Sequence, residues 1–129
     1  MEFQAWHPRP PAAEAQLAKL RDQVRFPLPA EYLDLLRRGN GGEGALALPP
    51  LWLQLWSADE AVEFARFRIY AHRFPGCFFF AANGAGEHMA MRRAAADLVE
   101  IVVVELGLGP DSAQVIAPDF AAFIQAIGK

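Results

Sequence analysis

The chain has 129 residues, 53% of them hydrophobic, which is enough apolar material for one folded domain and argues against disorder. Its 12 basic and 15 acidic side chains give a net charge of −3, which argues against a dedicated nucleic-acid-binding protein. The single cysteine excludes an internal disulfide and a multi-cysteine zinc site, and no apolar run approaches the roughly 18 residues of a membrane helix. We therefore predict a cytoplasmic protein without a signal peptide, a membrane segment or a nucleic-acid partner.

The N-terminus is rich in proline, which disfavours a helix there. We predict that residues 1–12 form an irregular arm, from which Phe3 and Trp6 fold back onto the body. The remaining residues, 13–129, contain no internal repeat, linker or low-complexity block, so we assign them to a single domain.

Helical and strand periodicities follow the arm. The predicted elements are helix 12–24, a helix from Pro29 to residue 38, strand 51–56, helix 57–73, strand 77–82, strand 87–92, strand 98–106, edge strand 114–116 and helix 118–127. Ser57 followed by Glu60 is a capping box that opens the third helix, and residues 83–86 have the glycine-rich chemistry of a hairpin turn. We therefore predict that the strands flanking this turn pair as a hairpin and that strand 98–106 joins their sheet.

Two of these elements carry candidate contact residues. Strand 51–56 places its leucines, beginning with Leu51, on one face and two tryptophans on the other. Helix 57–73 has one apolar stripe that ends at Ile69, a second, aromatic stripe formed by Phe67, Tyr70 and Phe74, and three carboxylates in its first turns. Aromatic residues at helical spacing usually belong to a core, and acidic residues stabilise a helix N-terminus in any case. Tryptophan and tyrosine are, however, enriched in binding hot spots. The candidate partner-binding residues are Trp52, Trp56, Tyr70, Asp59, Glu60 and Glu63.

Catalytic and cofactor-binding patterns are weak in this chain. The Gly84–Gly86 segment is similar to half of a dinucleotide fingerprint, but Met89 stands where the third glycine belongs, and the segment joins two strands. The glycines of residues 39–44 lack the Lys-Ser/Thr of a phosphate loop. Turn geometry explains both clusters, so we predict no cofactor.

The histidines and the cysteine offer little more. The three histidines lie on different elements without the spacing of a metal site. Cys77 and His88 lie on neighbouring predicted strands, where they could meet as a nucleophile and its base. Three phenylalanines follow Cys77, however, and this favours a buried, inert thiol. We predict no enzymatic activity and keep the Cys77/His88 pair as a remote alternative.

Three segments, in order, resemble the signature of the SUKH superfamily, the Smi/Knr-like domains. Residues 28–36 and Asn40-Gly41-Gly42 are similar to its opening Leu-Pro, aromatic, leucine pair and Asn-Gly-Gly. Residues 78–87 are similar to its apolar strand with a following glycine turn, and residues 120–124 to its closing helix. Many members have an aspartate where this chain has Arg92, and the proline-rich arm has no obvious counterpart. The matching positions are Leu28, Pro29, Tyr32, Asn40, Gly41, Gly84 and Gly86.

The resemblance implies an α+β fold with a central, mainly antiparallel sheet packed by helices. It also implies that the seven matching positions are structural determinants rather than contacts. Bacterial members of the superfamily are mostly thought to be immunity proteins, which bind and neutralise toxins of polymorphic systems without catalysis. Other members act as regulatory interaction modules, which is the alternative function for this chain. The partner that the resemblance implies is therefore a protein, namely a cognate toxin domain, and the oligomeric state is not indicated.

Overall fold

A computed structural model describes residues 5–96 and 98–129, and these form seven strands and five α-helices. The strands are β1 Trp6–Pro8, β2 Gly42–Ala45, β3 Trp52–Leu55, β4 Cys77–Ala82, β5 Glu87–Ala95, β6 Leu98–Glu105 and β7 Gln114–Ala117. The helices are α1 Glu14–Gln23, α2 Ala30–Arg38, α3 Ala58–Ala65, α4 Arg68–Arg73 and α5 Phe120–Gln125, with a 3₁₀ turn at Pro110–Ser112. Within the described ranges, no helix has both the length and the apolar character needed to cross a membrane.

The seven strands make one antiparallel sheet in which spatial order follows chain order from β1 to β7. The predicted hairpin is confirmed, because β4 and β5 pair around the turn and β6 lies beside β5. The predicted edge strand is confirmed as β7. The α+β class with a helix-packed antiparallel sheet is therefore correct.

The main core lies between one face of the sheet and helices α1, α2, α3 and α5. Each helix contributes apolar residues at helical spacing, for example Leu17 and Leu20 from α1 and Phe120 and Phe123 from α5. Tyr32 of α2 is fully buried among them. Trp6 packs against the same core, as predicted, whereas Phe3 lies outside the described residues.

A second, smaller cluster covers the opposite face of the sheet. Phe79, Ala90 and Val102 stand side by side on β4, β5 and β6, and Phe74 at the end of α4 packs over them. The same face continues across β3 and β2, where Trp52 and Glu43 are exposed. The sheet therefore has one fully covered face and one face that is covered over part of its width.

The predicted helix 57–73 is in fact two helices, separated at Arg66 and Phe67. Ala61 and Val62 of α3 face the main core, whereas Phe74 must reach the second cluster, so one straight helix cannot satisfy both. As a consequence Ile69, which we expected in a buried stripe, is 61% exposed.

Three further expectations differ from the structure. Leu51 precedes β3 with a positive φ of 75° and is exposed, unlike the two leucines that follow it in the strand.

The predicted irregular arm contains β1, which pairs with β2, and β2 itself was not predicted. Gly44 shows why β2 is hard to recognise: a side chain there would collide with the backbone of Ala5 and Trp6, so glycine is required where a β-former would normally mark a strand.

Candidate protein-interaction surface

Strand β3 sets the position of both candidate tryptophans. Leu53 and Leu55 are fully buried in the main core, so the alternation of a strand directs Trp52, Gln54 and Trp56 to the opposite face. Trp52 is 42% exposed and Trp56 is half-buried. The two indole rings are thus displayed on the less covered face of the sheet.

The carboxylate of Glu43 on β2 is held beside β3 by two side chains. The Trp52 indole Nε1 and the Gln54 amide Nε2 both donate to its Oε2, at 2.8 and 3.1 Å. These hydrogen bonds lower the pKa of Glu43, with smaller contributions in the same direction from His7 and Arg9, while burial opposes them. Glu43 is therefore a fixed, ionised carboxylate on the exposed part of the face.

Phe64 of α3 is the centre of an aromatic group. Its ring centroid lies 4.8 Å from that of Trp56 and 5.0 Å from that of Tyr70, with which it is stacked. Phe67, 54% exposed, contacts it edge-on at 5.9 Å, and His88 lies at 5.7 Å. Phe64 thus connects the ring of Trp56, which follows β3, with the rings of Phe67 and Tyr70 at the start of α4.

His88 belongs to the wall of this aromatic group. Burial lowers the pKa of His88, and hydrogen bonding to the Gly86 backbone only partly opposes that effect. Within the described part of the chain, its buried Nδ1 has no hydrogen-bond partner. The imidazole is therefore neutral at pH 7 and packs as an aromatic ring.

The carboxylates Glu60 and Glu63 are already paired within the molecule. Glu60 accepts from Arg9 at 2.8 Å and from the Ser57 backbone N–H at 2.8 Å, which closes the predicted capping box. Burial acts to raise the pKa of Glu60, but the hydrogen bonds from Ser57 and Arg9 outweigh it and lower the pKa. Glu63 pairs with Arg66 at 3.3 Å. The rim of the surface is consequently less acidic than the sequence suggests.

The structure brings four of the six candidate residues onto one continuous surface. Asp59 instead lies on the α1 side of α3, where Gln16 approaches it at 3.5 Å, and Tyr70 is half-buried beneath Phe64. Two phenylalanines that we did not select complete the surface, although Phe67 had been recognised in an aromatic stripe. We call the following set the aromatic–acidic surface: Trp52, Trp56, Glu60, Glu63, Phe64 and Phe67.

Two of the family-like positions hold α3 in place. Oδ1 of Asn40 accepts a hydrogen bond from the Ala58 backbone N–H at 2.8 Å, which satisfies a donor at the N-terminus of α3. Gly41 has a φ of 95°, and a Cβ there would lie 2.8 Å from the Leu55 carbonyl oxygen. The Asn-Gly pair therefore positions the helix that carries Phe64.

The other family-like positions lie in turns and in the core. Gly84 and Gly86 have φ values of 79° and 101° in the hairpin turn, and Gly84 leaves room for the side chain of Gln54. Leu28 packs against the main core and Pro29 is the N-cap of α2. Tyr32 is buried in the core.

The register of the hairpin separates Cys77 from His88. Cys77 is opposite Arg92 and His88 is opposite Ala82, so the two side chains are about 13 Å apart along the strands. Cys77 is partly rather than fully buried, and burial is the main reason that the pKa of its thiol is raised. The remote alternative, in which Cys77 and His88 meet as a nucleophile and its base, is therefore wrong. No group of three metal-ligating side chains is found in residues 5–96 and 98–129.

Comparison with known families matches the model of the SMI1 / KNR4 family (SUKH-1) to residues 11–126. The chain belongs to this family. The match runs from the end of the proline-rich segment to α5, so it contains every family-like position identified in the sequence. The SMI1/KNR4 family is generally non-catalytic. Comparison with curated proteins gave no significant match.

Proposed function

We propose that this protein is a bacterial immunity protein that neutralises a cognate toxin in the cytoplasm by stoichiometric binding. Membership of the SUKH-1 family supports the proposal, because many SUKH domains serve as immunity proteins. The structural observation that carries it is the aromatic–acidic surface. Its exposed rings are held in place, Trp52 by its hydrogen bond to Glu43 and Phe67 by its edge-on contact with Phe64, and aromatic residues are enriched at protein interfaces.

The shape of this surface suits a protein better than a small substrate. Trp56, Phe64, Phe67, Glu60 and Glu63 line a shallow depression of about 240 Å³. Phe67 and Trp52 remain 54% and 42% exposed in the isolated chain. A partner that covers both rings would remove apolar area from water at roughly 25 cal/mol per Å².

Each candidate residue has a distinct part in the proposed contact. Trp52 and Phe67 are the direct anchors, and Trp56 forms the floor between them. Tyr70 supports Phe64 from below, as their stacked rings indicate. Asp59 lies outside this surface, on the α1 side of α3, and has no arginine partner among the described residues, so it acts on a basic partner only through long-range electrostatic attraction.

Co-expression with the toxin encoded by a neighbouring gene tests this proposal. Trp52→Ala and Phe67→Ala should each weaken toxin binding by about 2 kcal/mol or more, roughly 30-fold, and reduce protection of the cell. Leu98→Ala is the matched control, because Leu98 is 46% exposed at the far end of the β5–β6 hairpin. The affinity of the Leu98→Ala variant for the toxin should equal that of the unmodified protein.

Replacement of all six original candidates in a chain that still folds should abolish protection. Undiminished protection by that variant would eliminate this surface. Failure to bind any neighbouring gene product would favour a regulatory interaction module of the same fold.

A further inference from the structure

A polar cleft adjoins the aromatic–acidic surface on the side of β1 and β2. Its volume is about 410 Å³, and its walls include Glu43, Gln54 and Trp56 from the sheet, with Arg9 and Glu60 at the rim. The register explains how these residues meet, since Glu43 and Gln54 are directly opposite each other on neighbouring strands. Trp56 and Glu60 also line the shallow depression, so the two features are continuous.

The cleft has unused hydrogen-bond acceptors. Both donors to Glu43 bind its Oε2, so Oε1 receives no hydrogen bond from any residue in the described ranges. Gln54 donates through Nε2, and its Oε1 likewise receives none from those residues. Gly84 lies next to the Gln54 amide, and a Cβ on residue 84 would come within 2.8 Å of Nε2 of Gln54. The glycine therefore leaves room for the side chain of Gln54.

The charge of the cleft favours a cation. Arg9 is paired with Glu60 at 2.8 Å, so these two formal charges balance, and the Glu43 carboxylate adds one further negative charge to the cleft. The indole ring of Trp56 adds an aromatic face, which attracts cations electrostatically. A planar group with several N–H donors satisfies two separate oxygens and stacks on an indole, and a guanidinium has this geometry.

We propose that this cleft receives an arginine side chain of the partner protein, with the guanidinium on Oε1 of Glu43 and against the ring of Trp56. The inference rests on the proposed function, because it assumes that a protein docks on this face. It adds the chemistry of one contact: an arginine at the edge of an otherwise aromatic interface.

The test uses the full chain and a small probe, N-acetyl-L-arginine amide, at constant ionic strength. The Trp52 indole N–H donates to Glu43, so its NMR resonance reports on binding at that carboxylate. We expect a saturable shift with the arginine probe and at least a tenfold weaker response to the citrulline analogue, which has the same shape without the charge. An equal response to both probes would overturn the proposal.

Two glutamate variants separate the cleft from general charge effects. Glu43→Gln keeps an acceptor for Trp52 and Gln54 but removes the charge, so it should reduce the probe's affinity about tenfold or more. Glu31→Gln removes one exposed carboxylate from α2 and should leave that affinity unchanged. An unchanged affinity in Glu43→Gln would contradict the inference.

The same variants distinguish this inference from the proposed function. If the neighbouring toxin binds, Glu43→Gln should weaken the complex roughly tenfold and Glu31→Gln should not. A toxin complex that is insensitive to Glu43→Gln refutes the arginine contact and leaves the proposed function standing. Absence of any toxin complex, together with saturable and Glu43-dependent binding of the arginine probe, refutes the proposed function and supports the cleft.

Discussion

Tyr32 is fully buried at the centre of the main core, where it meets three phenylalanine rings edge-on. The centroid distances are 5.9 Å to Phe78, 6.0 Å to Phe80 and 5.6 Å to Phe120. Its hydroxyl group has no hydrogen-bond partner in the described ranges, and burial raises the pKa of Tyr32 above its ordinary value of 10. The ring is therefore well packed, whereas the hydroxyl contributes a desolvation cost.

We expect Tyr32→Phe to be neutral or slightly stabilising at pH 7, by about 0–1 kcal/mol, because it removes an unpaired buried polar group. The raised pKa means that the folded state disfavours the tyrosinate, so the contribution of Tyr32 is constant below pH 10 and is lost as the pH rises above 10. The variant should consequently lose less stability between pH 9 and about pH 11 than the unmodified chain. Urea denaturation at several pH values measures both effects.

Tyr70→Phe is the control for that experiment, because it removes a hydroxyl from a half-buried ring near the surface. Tyr70→Phe should lose as much stability between pH 9 and about pH 11 as the unmodified chain does. A destabilisation of more than about 1 kcal/mol by Tyr32→Phe at pH 7 would show that the hydroxyl is satisfied in the folded protein.

Helices α4 and α5 have the same length but are anchored very differently. Each has six residues. Helix α5 buries Phe120 and Phe123 in the main core and begins at a side-chain cap, since Asp119 accepts from the Ala122 backbone N–H at 2.8 Å. No residue within α4 is fully buried, and its N-cap Phe67 makes no side-chain cap hydrogen bond.

We predict that the amides of α4 exchange with solvent at least about tenfold faster than those of α5, because local opening of α4 exposes little apolar surface. Hydrogen exchange followed by NMR at a single pH makes the comparison within one molecule. Equal protection of the two helices would mean that α4 opens only when the whole chain unfolds.

The sequence predicted those elements whose residue types alone define the local backbone conformation. The hairpin could be predicted because glycines stand at positions 84 and 86, where the turn requires a positive φ. β1 and β2 were missed, because prolines and glycines replace the usual strand formers there. The break between α3 and α4 was missed for another reason: both segments are helical and apolar, but they face opposite sides of the sheet, and this is a tertiary property.

The candidate surface could be predicted only in part. Alternation along β3 correctly placed both tryptophans opposite the buried leucines. The ion pair Arg9–Glu60 and the role of Phe64 depend on how the arm and α4 fold back, which no local pattern encodes. The pair Arg66–Glu63, in contrast, has the i,i+3 spacing of neighbours on a helix. Whether this surface binds a partner remains a prediction.

At the scale of the whole molecule, the first residues are tied to the body at several points. The backbone N–H of Arg9 donates to the Gly41 carbonyl, that of Asn40 to the Pro10 carbonyl, and that of Ala12 to the Leu36 carbonyl, at 2.9, 2.9 and 3.0 Å. The segment that we treated as an arm outside the domain thus pairs with the sheet and borders the polar cleft.

We expect deletion of residues 1–9 to lower the free energy of unfolding by about 2–4 kcal/mol, because it removes β1 and the packing of Trp6. It should also promote self-association, because β2 becomes the edge of the sheet. Urea denaturation and size-exclusion chromatography measure these effects, and Trp6→Ala isolates the packing contribution. An unchanged urea midpoint in the shortened chain would show that residues 1–9 are dispensable and would support a domain boundary near residue 12.

The order of the strands has a consequence for biosynthesis. Because each strand pairs with the strand before it, the sheet can grow in the direction of translation. The main core, however, is closed by Phe120 and Phe123 of α5, which emerge from the ribosome last. A nascent chain that stops before α5 leaves Phe80 and Tyr32 without the aromatic neighbours that α5 supplies. Truncated products should therefore be degraded rapidly, and only finished chains should accumulate.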